Sequence, residues 1–520
     1  MRFFEKKNVR LQLLISLAFS SELLYLLIAS INNLRGHIPL FLLSYGAIFG
    51  LYWLSSMVFF RKMTPTTFGS RASRLFKNKK PFGWLNDFVA KQKSQEHLRP
   101  QEVLTIGIVF GVIFRVTLLF TTPTLSDDIY RYIWDGKVAS HGINPYDYPP
   151  QAEELASLRD TEIYPFVSHK EIPTIYPPVT QLTFLGLYKL NASVLSFKAG
   201  FFVLDLLTMA VLYFILRSLA LDRARLLIYV WNPLVIVEFA GSGHADIIGI
   251  FLLTVVCYFV IKKKLLRANL VLVLSFLTKF IALMLLPVLT FLKKEGKLVM
   301  PILFIVFAAL LYLPYAETGE KLLAGLSVYT AKWEYNSSIF TLLETGIRSV
   351  LPEPWIVRFM VAPRGLVATP ETLDTMGKDL ALLLSKLAIL LTFSGVLLYF
   401  LVRLKKDVRR EGEVWFFRLG LILLGTLFIL NPTVHPWYLC WLVPFLVVVP
   451  NRAWLLLTGL VALSYWILND YTRTGVWQES LWIKYAEYLP FYTLLIFDGV
   501  RNKIRPRTLP AAPLSWNPDY

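Results

Sequence analysis

The chain reads as an all-α polytopic membrane protein, and three observations carry that reading. Its 520 residues are 56% hydrophobic and only 17% charged, too apolar for a soluble globular chain of that length. Apolar runs long enough to cross about 30 Å of hydrocarbon recur from end to end. Lysines and arginines gather in short clusters between those runs, as they do in the cytoplasmic loops of membrane proteins.

The runs fall at 11–30, 38–60, 103–122, 195–216, 226–241 and 246–262, then at 266–279, 280–293, 298–314, 381–403, 416–430, 436–449, 453–468 and 487–499. They predict about 14 transmembrane helices. The opening MRFFEKKNVR and its apolar continuation resemble a secretory signal, but no small-residue cleavage site follows, so a retained first helix is expected. Basic clusters at the N-terminus, in the 61–100 loop (Arg61, Lys62, Arg71, Arg74, Lys77, Lys79, Lys80), at Lys262–Lys264, at Lys293 with Lys294, at Arg403–Arg410 and at Arg501–Arg507 all belong in the cytoplasm. Both termini are then cytoplasmic, and 123–194, 315–380 and 469–486 form outer-face loops. Residues 176–190 are apolar enough to compete as a span. Counting them would push Arg217, Arg223 and Arg225 outside, so they read as an interfacial or re-entrant helix. The first outer loop thus holds two helices lying along the membrane, one starting at Ser126 and one at Pro177. The 264–293 stretch reads as a hairpin turning near Thr278 and Lys279. The net charge of +18 follows from the loop clusters and does not point to nucleic acid. Cys257 and Cys440 both sit in apolar runs, which excludes a disulfide framework or a cysteine metal cluster.

Polar exceptions converge on the outer side: Asp127, Asp128, His244, Asp246, Lys279, Lys332, Glu334, Asn336, Lys386 and His435, with Arg115 and Asp205 deeper in helices. Ser126-Asp127-Asp128 satisfies the rules for a helix start, serine as cap and acids in the first turn. It also stands beside Tyr130, Tyr132 and Trp134. A lone carboxylate is sufficient to deprotonate a hydroxyl that attacks an activated sugar whose leaving group is a stable phosphate; glycoside hydrolysis would need two. Arg115, Lys198, Lys279 and Lys386 are candidate phosphate holders, although Lys198 and Lys386 read equally as snorkelling side chains and Asp205 as a partner for one of these cations. Gly241-Ser242-Gly243-His244-Ala245-Asp246 reads as a polar turn, and Asn431-Pro432-Thr433-Val434-His435-Pro436 as a break followed by the interface anchors Trp437 and Tyr438. His244 and His435 with Asp127 offer metal-ligand chemistry without a recognised spacing, so no cofactor is assigned and a divalent metal stays open. Asn336-Ser337-Ser338 matches a glycosylation acceptor, a weak motif.

Taken in order, SDDIYRYIWDGKVASHGINPYDYPP, IYPPVTQ, WNPLVIVEFAGSGHAD, LTKFIALMLLPVL and NPTVHPWYLCWLVPF resemble bacterial membrane glycosyltransferases of the GT-C superfamily, closest to the polyprenol-phosphate-mannose-dependent mannosyltransferases. The resemblance runs from about Arg115 to Pro444. It implies a many-helix fold, a lipid-linked monosaccharide phosphate as donor, and an acid of the first outer loop as base, opening an Asp-acid-x-(aromatic or His) pattern that Asp127-Asp128-Ile129-Tyr130 matches. Relatives often carry Glu at the second position, so the division of roles between the two acids stays open, with Asp127 first and Asp128 second for the base.

The expected activity is transfer of a monosaccharide, mannose by the resemblance, from a polyprenyl phosphate to a glycan or lipid acceptor on the outer face, with inversion. Arg115 and Lys279 would hold the phosphate, and His244, Asp246, His435, Tyr176 and Tyr438 would line the donor pocket. On this reading 1–102 is a pair of N-terminal helices with the basic loop, and 103–315 is the catalytic membrane module containing loop 123–194. The segment 316–380 is an outer loop, and 381–520 holds the last helices and tail. A transporter or lipid-linked sugar flippase is the rival, and a catalytically silent assembly scaffold a third reading. Transporters usually place polar groups at the midplane of repeated halves, whereas this chain gathers them at one face.

Overall fold

The computed structural model describes residues 2–59, 100–293 and 295–504. The regular elements among the described residues are helical, as the sequence predicts, apart from one bridge pairing Tyr335 with Thr433. Most of the basic loop between the second and third runs lies outside the described residues, as do Lys294 and the side chain of Lys332.

The first half contains α1 (Arg2–Ser30), α2 (Ile38–Phe59), α3 (Pro100–Leu119), α4 (Asp128–Ser140), α5 (Pro178–Leu190), α6 (Val194–Ser218), α7 (Asp246–Ile261) and α8 (Leu265–Phe276). Seven helical stretches among the described residues are long and apolar enough to cross a membrane: Leu11–Ser30, Leu34–Met57, Gln101–Leu119, Val194–Ser218, Val299–Ala331, Pro370–Glu411 and Arg452–Thr474. An eighth arises if Arg223–Val230 and Pro233–Gly241, bent by 55°, count as one. The 14 apolar runs therefore yield seven or eight candidate spans. Five of the others are apolar helices of 10–17 residues, Asp246–Ile261, Leu265–Phe276, Phe280–Leu292, Val414–Leu430 and Pro436–Val448. At 1.5 Å per residue the longest of these rises only about 25 Å. Polar or proline-bearing breaks at Thr278-Lys279 and Asn431-Pro432 cut the runs short.

Helix α5 has 13 residues and rises about 20 Å, too short to span. It packs along α4 and against the start of α6. Gly136 makes the α4–α5 approach possible, because a Cβ there would stand 2.7 Å from the Phe184 carbonyl oxygen. Helix α4, expected to lie along the membrane, is enclosed by protein. Ile129 through Gly136 are all buried, so α4 lies inside the protein rather than on its surface. Its aromatic residues pack on protein: Tyr132 stacks on Phe184 at 4.6 Å.

The α1–α2 hairpin is seated in the body of the molecule. Packing against lipid gives helices little hydrophobic reason to associate, so polar ties carry weight. The Tyr45 hydroxyl donates to Thr458 O (2.8 Å), the Tyr52 hydroxyl to Ile228 O (3.1 Å), and Leu34 N–H to Thr124 Oγ1 (2.9 Å). The last of these pins the turn between α1 and α2 to the segment leading into α4.

Candidate active site

The acid pair opens α4, but its carboxylates do not cap it. Asp127 is the residue ahead of the helix, its side chain makes no cap bond, and the first free N–H, that of Asp128, donates to Ser126 Oγ at 3.3 Å. The two carboxylates go separate ways. Asp127 Oδ1 meets Arg35 Nη2 at 2.9 Å, with about a third of each side chain exposed. Asp128 Oδ2 turns inward, 3.4 Å from the Tyr132 hydroxyl and 3.6 Å from His244 Nδ1. Burial pushes the Asp128 carboxyl above the usual carboxylate range, while His244 and then Lys279 pull it back.

His244 sits where the chain leaves a π-helical turn, Val237–Gly241, a geometry often found at functional sites. Gly243 adopts φ +72°, which swings the histidine back so that its N–H donates to Glu238 O at 3.0 Å. A Cβ on Gly243 would lie 2.7 Å from Ile129 Cδ1 and 3.0 Å from Lys198 Cγ. The buried imidazole thus lies between two acids, with Nε2 3.3 Å from Glu238 Oε2, yet neither ring nitrogen has hydrogen-bond alignment. Glu238 is itself held by the Tyr465 hydroxyl at 2.9 and 3.0 Å from its two oxygens.

Next along the wall, Asp246 Oδ1 accepts from Lys279 Nζ and Trp441 Nε1, both at 2.7 Å. Lys279 comes from the extended break after α8 and keeps 28% of its side chain exposed. Its ammonium lies 3.7 Å from the centre of the Tyr438 ring, a cation–π contact, and Tyr438 shares a 2.6 Å hydroxyl contact with Tyr329. Opposite, four rings form one stack: His244 on Trp437 (3.8 Å), Trp437 on His435 (4.4 Å), His435 on Tyr335 (4.6 Å). Trp437 and Tyr438 are therefore buried parts of the site and not the interface anchors their sequence context suggested. Tyr176 packs edge-on to Tyr132 at 5.2 Å, and its carbonyl accepts from the Tyr146 hydroxyl.

The structure thus gathers Asp128, His244, Asp246, Lys279, His435, Tyr176 and Tyr438, with Asp127 beside them on Arg35. The remaining cations expected at the phosphate go elsewhere. Arg115 Nε pairs with Asp205 Oδ2 at 2.6 Å, both side chains fully buried, and Nη1 donates to Gly111 O and Val230 O. Lys198 donates to Leu118 O and Thr121 O at the end of α3, and Lys386 to Thr330 O. Asn336, at φ +49°, donates from Nδ2 to Glu487, and Glu334 accepts from Ser337. Among the described residues no three His, Cys, Asp or Glu side chains are arranged to hold a metal ion.

Two ionisable members of this constellation escape a reading of the sequence, although each leaves a signal. Arg35 is a basic residue in a turn that charge topology places outside, against the usual bias. Glu238 is an acid inside an apolar run, where ionisable groups are costly unless used.

Residues 85–294 match the family model described as alpha-(1->6)-mannopyranosyltransferase, N-terminal domain. That stretch carries both acids, Tyr176, Glu238, His244, Asp246 and Lys279, while Arg35 and the stack members His435 and Trp437 fall outside it. No curated protein matches the chain.

Proposed function

We propose a donor, a membrane face and a mechanism for this chain, which through residues 85–294 belongs to the alpha-(1->6)-mannopyranosyltransferase family. The enzyme takes mannose from a polyprenyl monophosphate and passes it to a glycan or lipid acceptor on the outer face, inverting the anomeric carbon. The observation that carries this reading is the opposed orientation of the acid pair. Asp128 points at His244 and the lysine-bearing cluster and Asp127 at Arg35, each carboxylate side chain about a third exposed.

In the reaction an acceptor hydroxyl attacks the anomeric carbon and the bond from that carbon to the phosphate oxygen breaks, its electron pair leaving with the phosphate. The hydroxyl proton passes to Asp127, whose Oδ1 is held by Arg35 so that Oδ2 meets the acceptor. Lys279 takes the growing phosphate charge, exchanging its contact with Asp246, and does so best in a site poor in water. Asp128 and His244 fix the donor sugar, with Asp246, His435, Tyr176 and Tyr438 along the pocket. The outer face is supported by the basic clusters on the other side.

Asp127→Asn protein should fold and lose roughly 10²–10⁴ in kcat, the usual worth of a positioned base. Transfer of labelled mannose from polyprenyl phosphate mannose measures it. Wild-type turnover in Asp127→Asn would remove the base assignment, and selective loss in Asp128→Asn would transfer it to the neighbour.

A further inference from the structure

A shallow, open cleft of about 560 Å³ lies between the first turn of α4, the loop before residue 167 and the turn leading into α6. Its volume falls in the range of small-ligand sites, roughly 300–1,000 Å³. Tyr130 and Phe166 form one wall, their rings 5.0 Å apart, with Glu162, Asn191 and Ser193 supplying polar groups around it. Phe166 is 54% exposed, which leaves its ring available to a ligand in the cleft.

The cavity is built rather than incidental. Asp160 Oδ1 accepts from the N–H groups of Glu162, Ile163 and Tyr164 at 3.0, 2.6 and 3.1 Å. Its other oxygen pairs with Lys137 of α4 at 2.7 Å, which locks the Glu162–Phe166 loop to the helix carrying the acid pair. On the far side Asn191 Oδ1 accepts from Ser193 N–H, and Ser193 Oγ caps α6. A site so braced binds without first having to order its walls.

Its position also matters. Tyr130 follows Asp127 by three residues, so the two share one side of the α4 start. The Tyr130 N–H donates to Asp127 O at 3.1 Å, which ties this wall of the cavity to the acid. The lysine-bearing cluster, by contrast, lies on the Asp128 side.

We propose that this cavity is the acceptor site: the C–H face of a hexopyranose packs on Phe166 and Tyr130, and Glu162 and Asn191 hold its hydroxyls. One hydroxyl is thereby presented toward Asp127. The two acids then divide acceptor from donor. The assignment rests on Asp127 being the base, and its test is chosen to be separable from that reading.

Equilibrium dialysis of radiolabelled α-(1→6)-mannotriose against purified full-length protein needs no donor and no turnover. Wild type should bind saturably, and Phe166→Ala should bind roughly three- to tenfold more weakly, the loss of one ring contact. Glu162→Gln, at an exposed position, should weaken binding as well without threatening the fold. In the transfer assay the acceptor KM of both variants should rise by the same factor, with donor KM and kcat within twofold of wild type. Absent saturable binding, equal binding in wild type and variants, or a rise in donor KM instead would each overturn the acceptor assignment. Weakened binding in Phe166→Ala alongside full turnover in Asp127→Asn would keep the cavity and remove the base.

Discussion

Arg115 offers a direct contest between a catalytic and an architectural role. Its guanidinium and the Asp205 carboxylate are fully buried and 2.6 Å apart, while Arg115 Nη2 and Asp205 Oδ1 have no hydrogen-bond partner. Asp205→Ala leaves a buried cation alone, and breaking a buried pair from one side costs about 3–5 kcal/mol. Removing both charges, as Arg115→Met with Asp205→Leu, deletes that penalty. What remains is the carbonyl of Val230, which accepts from Arg115 at 2.6 Å at a bend where no helix continues through it. One unsatisfied buried carbonyl costs about 1–3 kcal/mol. The double variant should therefore be less stable than wild type but recover a good part of what Asp205→Ala loses. Thermal unfolding in detergent, followed at fixed protein and lipid content, gives the ranking. Transfer measured well below the melting point gives the role, because a pair that only holds helices together leaves the rate of the folded double variant within a few-fold of wild type. The reasoning fails if Asp205→Ala melts with wild type. It fails equally if the double variant stays folded yet loses 10²-fold or more in transfer, the mark of a lost transition-state contact.

Two further outcomes follow from the site. Burial first, then Lys279 and His244, push the His435 imidazole well below its ordinary range. The unfolded chain then binds a proton that the folded protein refuses, so stability is full above pH ~6.5 and falls as pH drops from there toward the lowered folded value. His435→Gln should flatten the acid side of the unfolding midpoint against pH, and an unchanged slope would count against the buried neutral ring. Gly243→Ala must hold alanine at φ +72° and crowd Ile129 and Lys198. A loss of about 1–2 kcal/mol from the left-handed backbone alone is expected, with kcat falling further because Ile129 adjoins Asp128; stability and rate equal to wild type would contradict the packing described.

The helices were legible because apolar runs are a local property. Span count was not, since whether a run of about 16 residues ends at Thr278-Lys279 or continues depends on which neighbours satisfy the break. Helix α5 could be recognised as non-spanning by setting its length against the charge bias of Arg217, Arg223 and Arg225. Helix α4 shows the limit of the same reasoning: its aromatic residues suit either a lipid interface or a protein interior, and Gly136 meeting Phe184 decided between them. At the site, Asp128, His244, Asp246, Lys279 and His435 could be gathered from their shared position at one end of successive runs. Their partners could not. Pairing of Arg115 with Asp205 rather than with a phosphate, and the stacking of Trp437 on His244, depend on contacts between residues 90 and more positions apart.

The seating of the α1–α2 hairpin sets an order of assembly. Arg35 and Leu34 find Asp127 and Thr124 within about a hundred residues of synthesis, but the Tyr45 hydroxyl bonds a carbonyl 413 positions later. At roughly 5–20 residues per second the ribosome takes about 20–80 s to deliver it. For the first part of that interval the hairpin rests on α3 and on the Arg35–Asp127 tie; the Tyr52 bond to Ile228 O can follow once residue 228 is made, and the Tyr45 support waits for residue 458. A nascent chain stalled before residue 458 should thus hold the Arg35–Asp127 tie while leaving Tyr45 open to labelling, which makes the first-made helices of this enzyme among the last to be locked.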